Sequence, residues 1–217
     1  MLRLRLWYSP NACSLAVHIV LRETGLPFEP IRLKIEQQPN DAGVARLPEQ
    51  FRDINPKMRV PVLAINDEII TELPAIMLAV SDLAPHLKLT GSNAMENVRT
   101  YEWLCYLSST LHGLGFGGLW RPQRFVEEPE LFPNVSKRAL KTITECFETI
   151  EGKLTGIYSV GNSFTVTDAF LCIFWRWGKQ RLGIDMEEIY PKFTMLAQNV
   201  MRRETAQAAI KNEGLKL

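Results

Sequence analysis

A cysteine at the junction of a strand and a helix is the residue of this chain best placed for thiol chemistry. Cys13 follows an alternating segment and directly precedes an apolar stripe that predicts a helix over residues 14–23. A sulfur at that point meets unpaired N–H groups and the positive end of the helix dipole, which favour its thiolate over its thiol. The alternative is a small buried core cysteine, and this is our interpretation of the three other cysteines.

Composition and charge exclude several classes of partner. The chain has 217 residues, of which 46% are hydrophobic, so it can bury one large core or two smaller ones. With 25 basic and 24 acidic residues the net charge is +1, and no overall field would attract nucleic acid or an anionic membrane. Small, locally bound ligands are therefore the expected partners.

The cysteines also indicate the compartment. The four cysteines are widely spaced, with no CxxC pair and no Cys/His metal spacing, so we expect neither a disulfide scaffold nor a metal site. The N-terminus alternates like a strand where a signal peptide would need a continuous apolar run. Nothing approaches the roughly 18 consecutive apolar residues of a membrane helix. A cytoplasmic protein is expected.

The first half of the chain predicts an α/β unit. Apolar residues alternate over residues 2–7 and again over residues 28–35, so the helix between them would complete a right-handed βαβ unit. Further along, the pattern predicts a short helix at residues 48–52, a hairpin over residues 60–71 and a helix over residues 74–84.

The second half of the chain is predicted to be helical. Residues 85–92 have the turn residues of an interdomain linker. Helices are then predicted over residues 93–114, 134–155, 165–182 and 186–203. The third of these opens with Thr165-Val166-Thr167-Asp168, which matches a capping box, so we assign Asp168 a structural role.

Several motifs in this order resemble the glutathione S-transferase family, and most closely its bacterial beta class. They are Tyr8-Ser9-Pro10-Asn11-Ala12-Cys13-Ser14-Leu15-Ala16, Asn55-Pro56-Lys57-Met58-Arg59-Val60-Pro61-Val62-Leu63, Thr71-Glu72, Glu102-Trp103-Leu104, Leu111-His112 and Arg121-Pro122. The resemblance implies a thioredoxin-like glutathione-binding domain (βαβαββα) at residues 1–84, a linker at 85–92 and an all-helical domain at 93–217. It also implies a homodimeric, cytoplasmic detoxification enzyme.

The resemblance implies a site for glutathione as co-substrate, without a metal. A cis peptide bond between Val60 and Pro61 would leave the Val60 backbone free to pair with the cysteinyl part of glutathione. The start of the next helix, at Glu72 and Leu73, would take the γ-glutamyl end, although Glu72 could instead be an ordinary helix-start charge. The residues implied to bind glutathione are Ser14, Gln38, Arg59, Val60, Pro61, Glu72 and Leu73.

Three residues are candidates for the catalytic step. Cys13 takes the place of the beta-class cysteine, and Tyr8 is a secondary donor whose alternative role is packing at a strand end. His112 could donate a hydrogen bond to the thiolate or bind the second substrate, and it could equally be a core histidine. A wall for a small hydrophobic electrophile is expected from Trp103, Tyr106, Phe116, Trp120 and Arg121, which could also be plain core.

The leading hypothesis is a transferase that activates the glutathione thiol near Cys13, for conjugation to an electrophile or for thiol–disulfide exchange. The alternative is a non-catalytic module of the same fold that binds a partner. It is motivated by three departures from the family pattern. Gln38 replaces a lysine, Leu73 replaces a small residue, and Gly113 replaces a basic residue.

Overall fold

The N-terminal part of the chain forms a mixed sheet covered by two helices. The computed structural model describes residues 2–33 and 47–216. Its first elements are β1 (Leu4–Tyr8), α1 (Ser14–Glu23), β2 (Glu29–Arg32), a 3₁₀ segment (Glu49–Asp53), β3 (Val62–Ile65), β4 (Glu68–Thr71) and α2 (Leu73–Leu83). The sheet order is β2-β1-β3-β4, with β2 parallel to β1 and the other two pairs antiparallel. This is the expected thioredoxin-like arrangement.

The rest of the chain is helical. After a 3₁₀ turn at Pro85–Leu87 come α3 (Ala94–Tyr106), a π-helical segment (Leu107–Phe116), α4 (Gly117–Trp120), 3₁₀ turns at Pro122–Arg124 and Pro129–Leu131, α5 (Phe132–Lys153), α6 (Val166–Leu182), α7 (Met186–Ile189), α8 (Pro191–Met201) and α9 (Glu204–Asn212). The core runs from one face of the sheet through α1 and α6 into this helical part. A smaller cluster around Trp7 and Phe51 covers the other face of the sheet.

The π-helical segment packs closely against α5 because it and α4 contain glycine at the points of contact. A Cβ atom added at Gly115 would meet the Ile143 side chain at 2.9 Å, and one added at Gly118 would meet Ala139 at 3.0 Å. Larger residues would push the two segments apart. π-helical turns are rare and often occur at functional sites, and this one carries His112.

Two predicted helices differ from the structure. The helix predicted over residues 93–114 begins one residue later, changes to π-type hydrogen bonding at Leu107 and continues into α4. The helix predicted over residues 186–203 is two helices, α7 and α8, because Pro191 lacks an N–H and restricts the residue before it. The final helix, α9, was not predicted.

The capping box at the start of α6 is confirmed. Asp168 is fully buried, and its carboxylate accepts from the N–H of Thr165 at 2.7 Å and from the N–H of Ser159 at 2.7 Å. Burial raises the pKa of Asp168 to about 6 although these bonds act to lower it. The side chain therefore joins the loop at Ser159 to the helix as well as capping it.

Replacing Asp168 by alanine should destabilise the fold more than loss of an ordinary cap. Asp168→Ala leaves the buried N–H of Thr165 and the half-buried N–H of Ser159 without an acceptor, and we expect a loss of about 2–4 kcal/mol in the free energy of unfolding. The matched control is Asn93→Ala, which removes the exposed cap of α3 and should cost about 1 kcal/mol. Urea unfolding measures both, and equal losses would contradict the second role of Asp168.

Candidate active site

Strand pairing brings three loops to one edge of the sheet. Trp7 of β1 is paired with Val62 of β3, and Val62 is paired with Thr71 of β4. The segment after β1, the residues before β3 and the residues after β4 therefore leave the sheet side by side. These segments carry Cys13, Val60 and Glu72 respectively, so the sheet itself assembles the predicted site.

Cys13 lies at this edge with its sulfur turned towards Val60, in the segment that precedes β3. Its Sγ donates to the carbonyl oxygen of Val60 at 3.5 Å, and the residue is only 6% exposed. Burial raises the pKa of the Cys13 thiol to about 12, outweighing the N–H groups at the start of α1 and the positive charge of Arg121. The expectation of a thiolate at Cys13 is therefore wrong, because this sulfur keeps its proton at neutral pH.

The peptide bond between Val60 and Pro61 is cis, as predicted. The preceding segment is held by Asn55, which is buried and whose side-chain amide donates to the carbonyl oxygen of Arg59 at 2.7 Å. The Val60 carbonyl was expected to be free, but it accepts the hydrogen bond from Cys13. The protein backbone and the cysteine are thus in direct contact at the centre of the site.

Two residues expected near the ligand are engaged elsewhere. The hydroxyl of Ser14 is buried, donates to the carbonyl oxygen of Ser9 at 3.1 Å and accepts from the Ser9 N–H at 3.2 Å. Tyr8 is 3% exposed and packs against His18 of α1, with ring centroids 5.3 Å apart. Ser14 therefore shapes the turn before α1, and Tyr8 has the packing role that was its alternative.

Residues from the C-terminal helices hold the turn that precedes Cys13. The N–H of Asn11 donates to Glu213 Oε2 at 3.1 Å, and its carbonyl accepts from Trp177 Nε1 at 3.0 Å and from Arg181 at 3.1 Å. Glu213 is buried, and its other carboxylate oxygen lies 3.0 Å from Nδ1 of His18. These contacts were not predicted from the sequence. The local signal was the residue type at Asn11, since asparagine favours turns and tolerates a positive φ, here 57°.

Glu72 sits in a strained backbone conformation at the start of α2. Its φ of 69° lies in the left-handed region, which non-glycine residues seldom adopt and which is often retained at functional sites. Its exposed carboxylate pairs with Lys57 Nζ at 2.6 Å, and Lys57 also donates to the Thr71 hydroxyl at 2.8 Å. Leu73 is buried as the first residue of α2, whose initial N–H groups have no intrahelical acceptor.

His112 faces this edge from the helical domain, surrounded by rings and positive charges. Its ring lies 5.6 Å from Trp177 and 6.0 Å from Phe174 between centroids. Burial, followed by the positive charges of Arg121, Arg59 and Arg124, lowers the pKa of His112 to about 4. The imidazole is therefore neutral at physiological pH.

Three arginines share this region. Arg59 directly precedes Val60, whereas Arg121 and Arg124 follow α4. The positive charge of each of the three lowers the pKa of His112. Burial and mutual repulsion lower the pKa of Arg121, and they lower the pKa of Arg124 to about 10. In the described part of the chain none of these three side chains forms an ion pair.

The predicted wall residues separate into two groups. Phe116 and Trp120 pack on Trp177, each with ring centroids 4.9 Å apart, and therefore adjoin the Asn11 turn. Trp103 instead lies under the ammonium group of Lys153, and Tyr106 interacts with Cys146 and Thr149 of α5. Trp103 and Tyr106 therefore contact α5, whereas the rings packed around His112 belong to α6, and their place in the substrate wall stays a prediction.

Gln38 falls outside the described residues. Within residues 2–33 and 47–216, no group of three His, Cys, Asp or Glu side chains has the arrangement of a metal site. Over the same residues, no helix combines the length and apolar character needed to cross a membrane.

Comparisons with known proteins agree with this architecture. Residues 12–83 match the family model of the glutathione S-transferase N-terminal domain, and residues 119–204 match that of the C-terminal domain. The glutathione S-transferase GstA of Escherichia coli O157:H7 is 32% identical over 217 residues, covering 98% of this chain and 100% of the relative. The chain belongs to the glutathione S-transferase family.

Solved structures of this family superpose over the whole chain. A glutathione transferase homologue from Sulfitobacter, crystallised with bound glutathione, has a TM-score of 0.85 at 28% identity and covers 100% of both chains. A bacterial beta-class glutathione S-transferase from Sphingomonas chungbukensis has a TM-score of 0.80 at 29% identity, covering 98% of this chain and 100% of its own. The predicted resemblance to this enzyme family and its beta class is confirmed.

The protonated state of Cys13 predicts slow alkylation at neutral pH. Iodoacetamide reacts with the thiolate, so Cys13 should be modified more slowly than Cys105, the exposed cysteine. Because the pKa of Cys13 is about 12, its rate should rise by about tenfold per pH unit between pH 6 and 9 without a plateau. Peptide mapping after timed quenching measures both rates. A plateau with a midpoint below pH 8 would show that Cys13 is a thiolate after all.

Proposed function

We propose that this chain is a glutathione transferase that activates the thiol of glutathione beside Cys13 and conjugates its sulfur to a small hydrophobic electrophile. One observation carries this proposal. Three features lie at the same edge of one sheet: the Cys13 sulfur, the Val60 backbone next to a cis-proline, and the N-terminus of α2. No metal takes part in the proposed reaction.

Each part of glutathione has a partner of suitable chemistry at this edge. The Val60 backbone is suited to pair with the cysteinyl residue in the manner of an added strand. The free N–H groups at the start of α2 suit the α-carboxylate, and the exposed carboxylate of Glu72 suits the adjacent ammonium group. The guanidinium of Arg59 would take the glycyl carboxylate, in place of the family lysine that Gln38 replaces.

The role proposed for Cys13 is that of a hydrogen-bond donor to the glutathione thiolate. A donor must carry a proton, and the raised pKa of Cys13 keeps it there at neutral pH. The structure has that proton donated to the Val60 carbonyl oxygen, so on binding the glutathione sulfur would replace this carbonyl as its acceptor, and the carbonyl would accept from the cysteinyl N–H instead. Thiol–disulfide exchange requires a thiolate at the attacking sulfur, which the same pKa disfavours. We therefore favour conjugation as the main reaction and keep exchange through a Cys13–glutathione disulfide as the second candidate.

The second substrate would bind between the glutathione sulfur and the helical domain. His112 is neutral and carries one ring N–H, so it can donate a hydrogen bond there, but a pKa of about 4 makes it a poor base. Trp120, which is 37% exposed, supplies apolar surface, and Arg121 supplies charge, whereas Phe116 is fully buried and packs behind Trp120 as part of the core. A non-catalytic module is not adopted, because the described residues at this edge offer a partner for each part of glutathione.

The functional unit is proposed to be a homodimer. Met95, Val98 and Tyr101 are exposed apolar residues spaced three apart on α3, so they share one helix face. Ile69, on the edge strand β4, is also exposed. Apolar residues grouped in this way are typical of surfaces that another chain covers.

The proposed setting is detoxification in the cytoplasm. All four cysteines are free thiols, which is consistent with a reducing compartment. The proposed domain limits remain residues 1–84 and 93–217, joined by a linker at residues 85–92. In the described part of the chain the strands all lie before Leu73 and the long helices after Asn93, which supports this division.

Loss of the Glu72 carboxylate should weaken glutathione binding without unfolding the protein. Glu72→Gln removes a charged partner of the ammonium group, which should raise the Kd of glutathione by about tenfold. The ion pair of Glu72 with Lys57 is exposed, so its loss should cost little stability. Titration calorimetry gives the Kd, and Glu68→Gln on β4 is the matched control. Equal affinity in both variants, or no binding by the unmodified protein, would refute the proposed site.

Two substitutions of Cys13 separate the candidate reactions. Cys13→Ser keeps a hydroxyl donor and should retain most conjugation of an aryl halide, whereas Cys13→Ala should lose at least about tenfold in kcat/KM. Both variants should fail to reduce a glutathione mixed disulfide. If Cys13→Ser and Cys13→Ala lose conjugation equally, the donor role is wrong. If disulfide reduction far exceeds conjugation in the unmodified protein, exchange is the main reaction.

A further inference from the structure

Lys57 is held at both ends beside the start of α2. Its backbone N–H donates to Oδ1 of the buried Asn55 at 3.1 Å. At the other end of the residue, Nζ donates to the Thr71 hydroxyl at 2.8 Å and to Glu72 Oε1 at 2.6 Å. A lysine side chain ordinarily rotates freely about its four-carbon stem. Here the ammonium group is already placed next to Glu72, and a ligand can still reach it because the side chain is 47% exposed.

The start of α2 offers fewer donors to an anion than an ordinary helix terminus. Leu73 has an apolar side chain, and Pro74, the second residue of the helix, has no N–H. The N–H of Ile76 donates to the carbonyl oxygen of Glu72 at 3.0 Å. Of the first four positions, the N–H groups of Leu73 and Ala75 are therefore those left for a ligand in the described part of the chain. A carboxylate has about four lone-pair sites, so one more donor beside this terminus would complete its binding.

The ion pair of Glu72 and Lys57 matches the charges of an α-amino acid. The head group of a γ-glutamyl residue carries an ammonium group and a carboxylate on one carbon atom. The Glu72 carboxylate can bind the ammonium group while Lys57 Nζ, 2.6 Å from Glu72, binds the carboxylate. Glu72 alone would accept any amine, whereas an amine that lacks a carboxylate also meets the like charge of Lys57. An exposed ion pair contributes little to stability, so recognition of a ligand is the role that this pair can fill.

We propose that Lys57 binds the α-carboxylate of the γ-glutamyl residue together with the first N–H groups of α2, and that Lys57 and Glu72 select thiol peptides with a free α-amino acid head group. This inference rests on the proposed transferase function and adds a binding residue that was not expected from the sequence. Asn55 supports the same role, since its side-chain amide also donates to the carbonyl oxygen of Arg59 at 2.7 Å. One buried side chain thus fixes Lys57 relative to Val60, which would bind the cysteinyl part.

Two tripeptides that differ by one carboxylate test the proposal by binding alone. Reduced glutathione and 4-aminobutanoyl-cysteinyl-glycine differ only by the α-carboxylate of the first residue, so the ratio of their Kd values reports its interaction with the protein. Titration calorimetry should show that the unmodified protein binds glutathione at least about tenfold more tightly. In Lys57→Met this ratio should fall by at least about fivefold, while the Kd of 4-aminobutanoyl-cysteinyl-glycine changes by less than about threefold.

The control variant is Lys137→Met, which removes an exposed lysine of α5 and should keep the full ratio. Lys57→Gln is a second neutral variant and should give the same fall as Lys57→Met, which protects the test against a folding defect in either. Equal Kd values for the two tripeptides in the unmodified protein, or a ratio unchanged in both Lys57 variants, would overturn the inference while glutathione binding stands. Tighter binding of glutathione by these variants would also overturn it, because Lys57 would then compete with the ligand for Glu72. Failure of the unmodified protein to bind glutathione would refute the proposed function, and the inference with it.

Discussion

The backbone of Asn11 is the point on which the site depends, because its N–H and its carbonyl are both bound to the C-terminal part of the chain. Its N–H meets the buried Glu213 carboxylate, and its carbonyl meets the side chains of Trp177 and Arg181. The turn before Cys13 therefore cannot move independently of α6 and the segment after α9. Three hydrogen bonds fix this turn relative to the helical domain, and two of them involve charged groups, which strengthens them.

At Cys13 two opposing effects act on one sulfur, and their magnitudes decide the outcome. The start of a helix stabilises a negative charge by up to about 2 kcal/mol in a partly buried setting. The net rise of the Cys13 pKa to about 12, which already includes the lowering by the N–H groups at the start of α1 and by Arg121, corresponds to roughly 4 kcal/mol in favour of the protonated form. Burial therefore prevails over the helix terminus. A protonated sulfur next to Val60 is suited to donating a hydrogen bond, which is the basis of the conjugation mechanism proposed for this member of the family.

The sequence predicted those features that local patterns determine. The apolar stripe from Leu15 to Val20 and the turn residues around it located α1 without error, and the four residues from Thr165 located the capping box. The cis bond at Pro61 came from the family resemblance, since prolyl bonds are usually trans.

Other features had no local signature. The π-helical segment follows the same apolar pattern as an ordinary helix, and Glu213 is about 200 residues distant in sequence from the turn that it holds. The state of Cys13 depends on burial by distant elements, so the helix start alone gave the wrong sign for its pKa. The grouping of Arg59 with Arg121 and Arg124 likewise needs the folded chain.

A crystal structure of the protein with reduced glutathione tests the central claim most directly. The account predicts the cysteinyl sulfur within hydrogen-bonding distance of Cys13 Sγ, the cysteinyl backbone paired with Val60, and the γ-glutamyl carboxylate at the N-terminus of α2. Glutathione bound at any other surface, or bound at this edge with its sulfur turned away from Cys13, would contradict it.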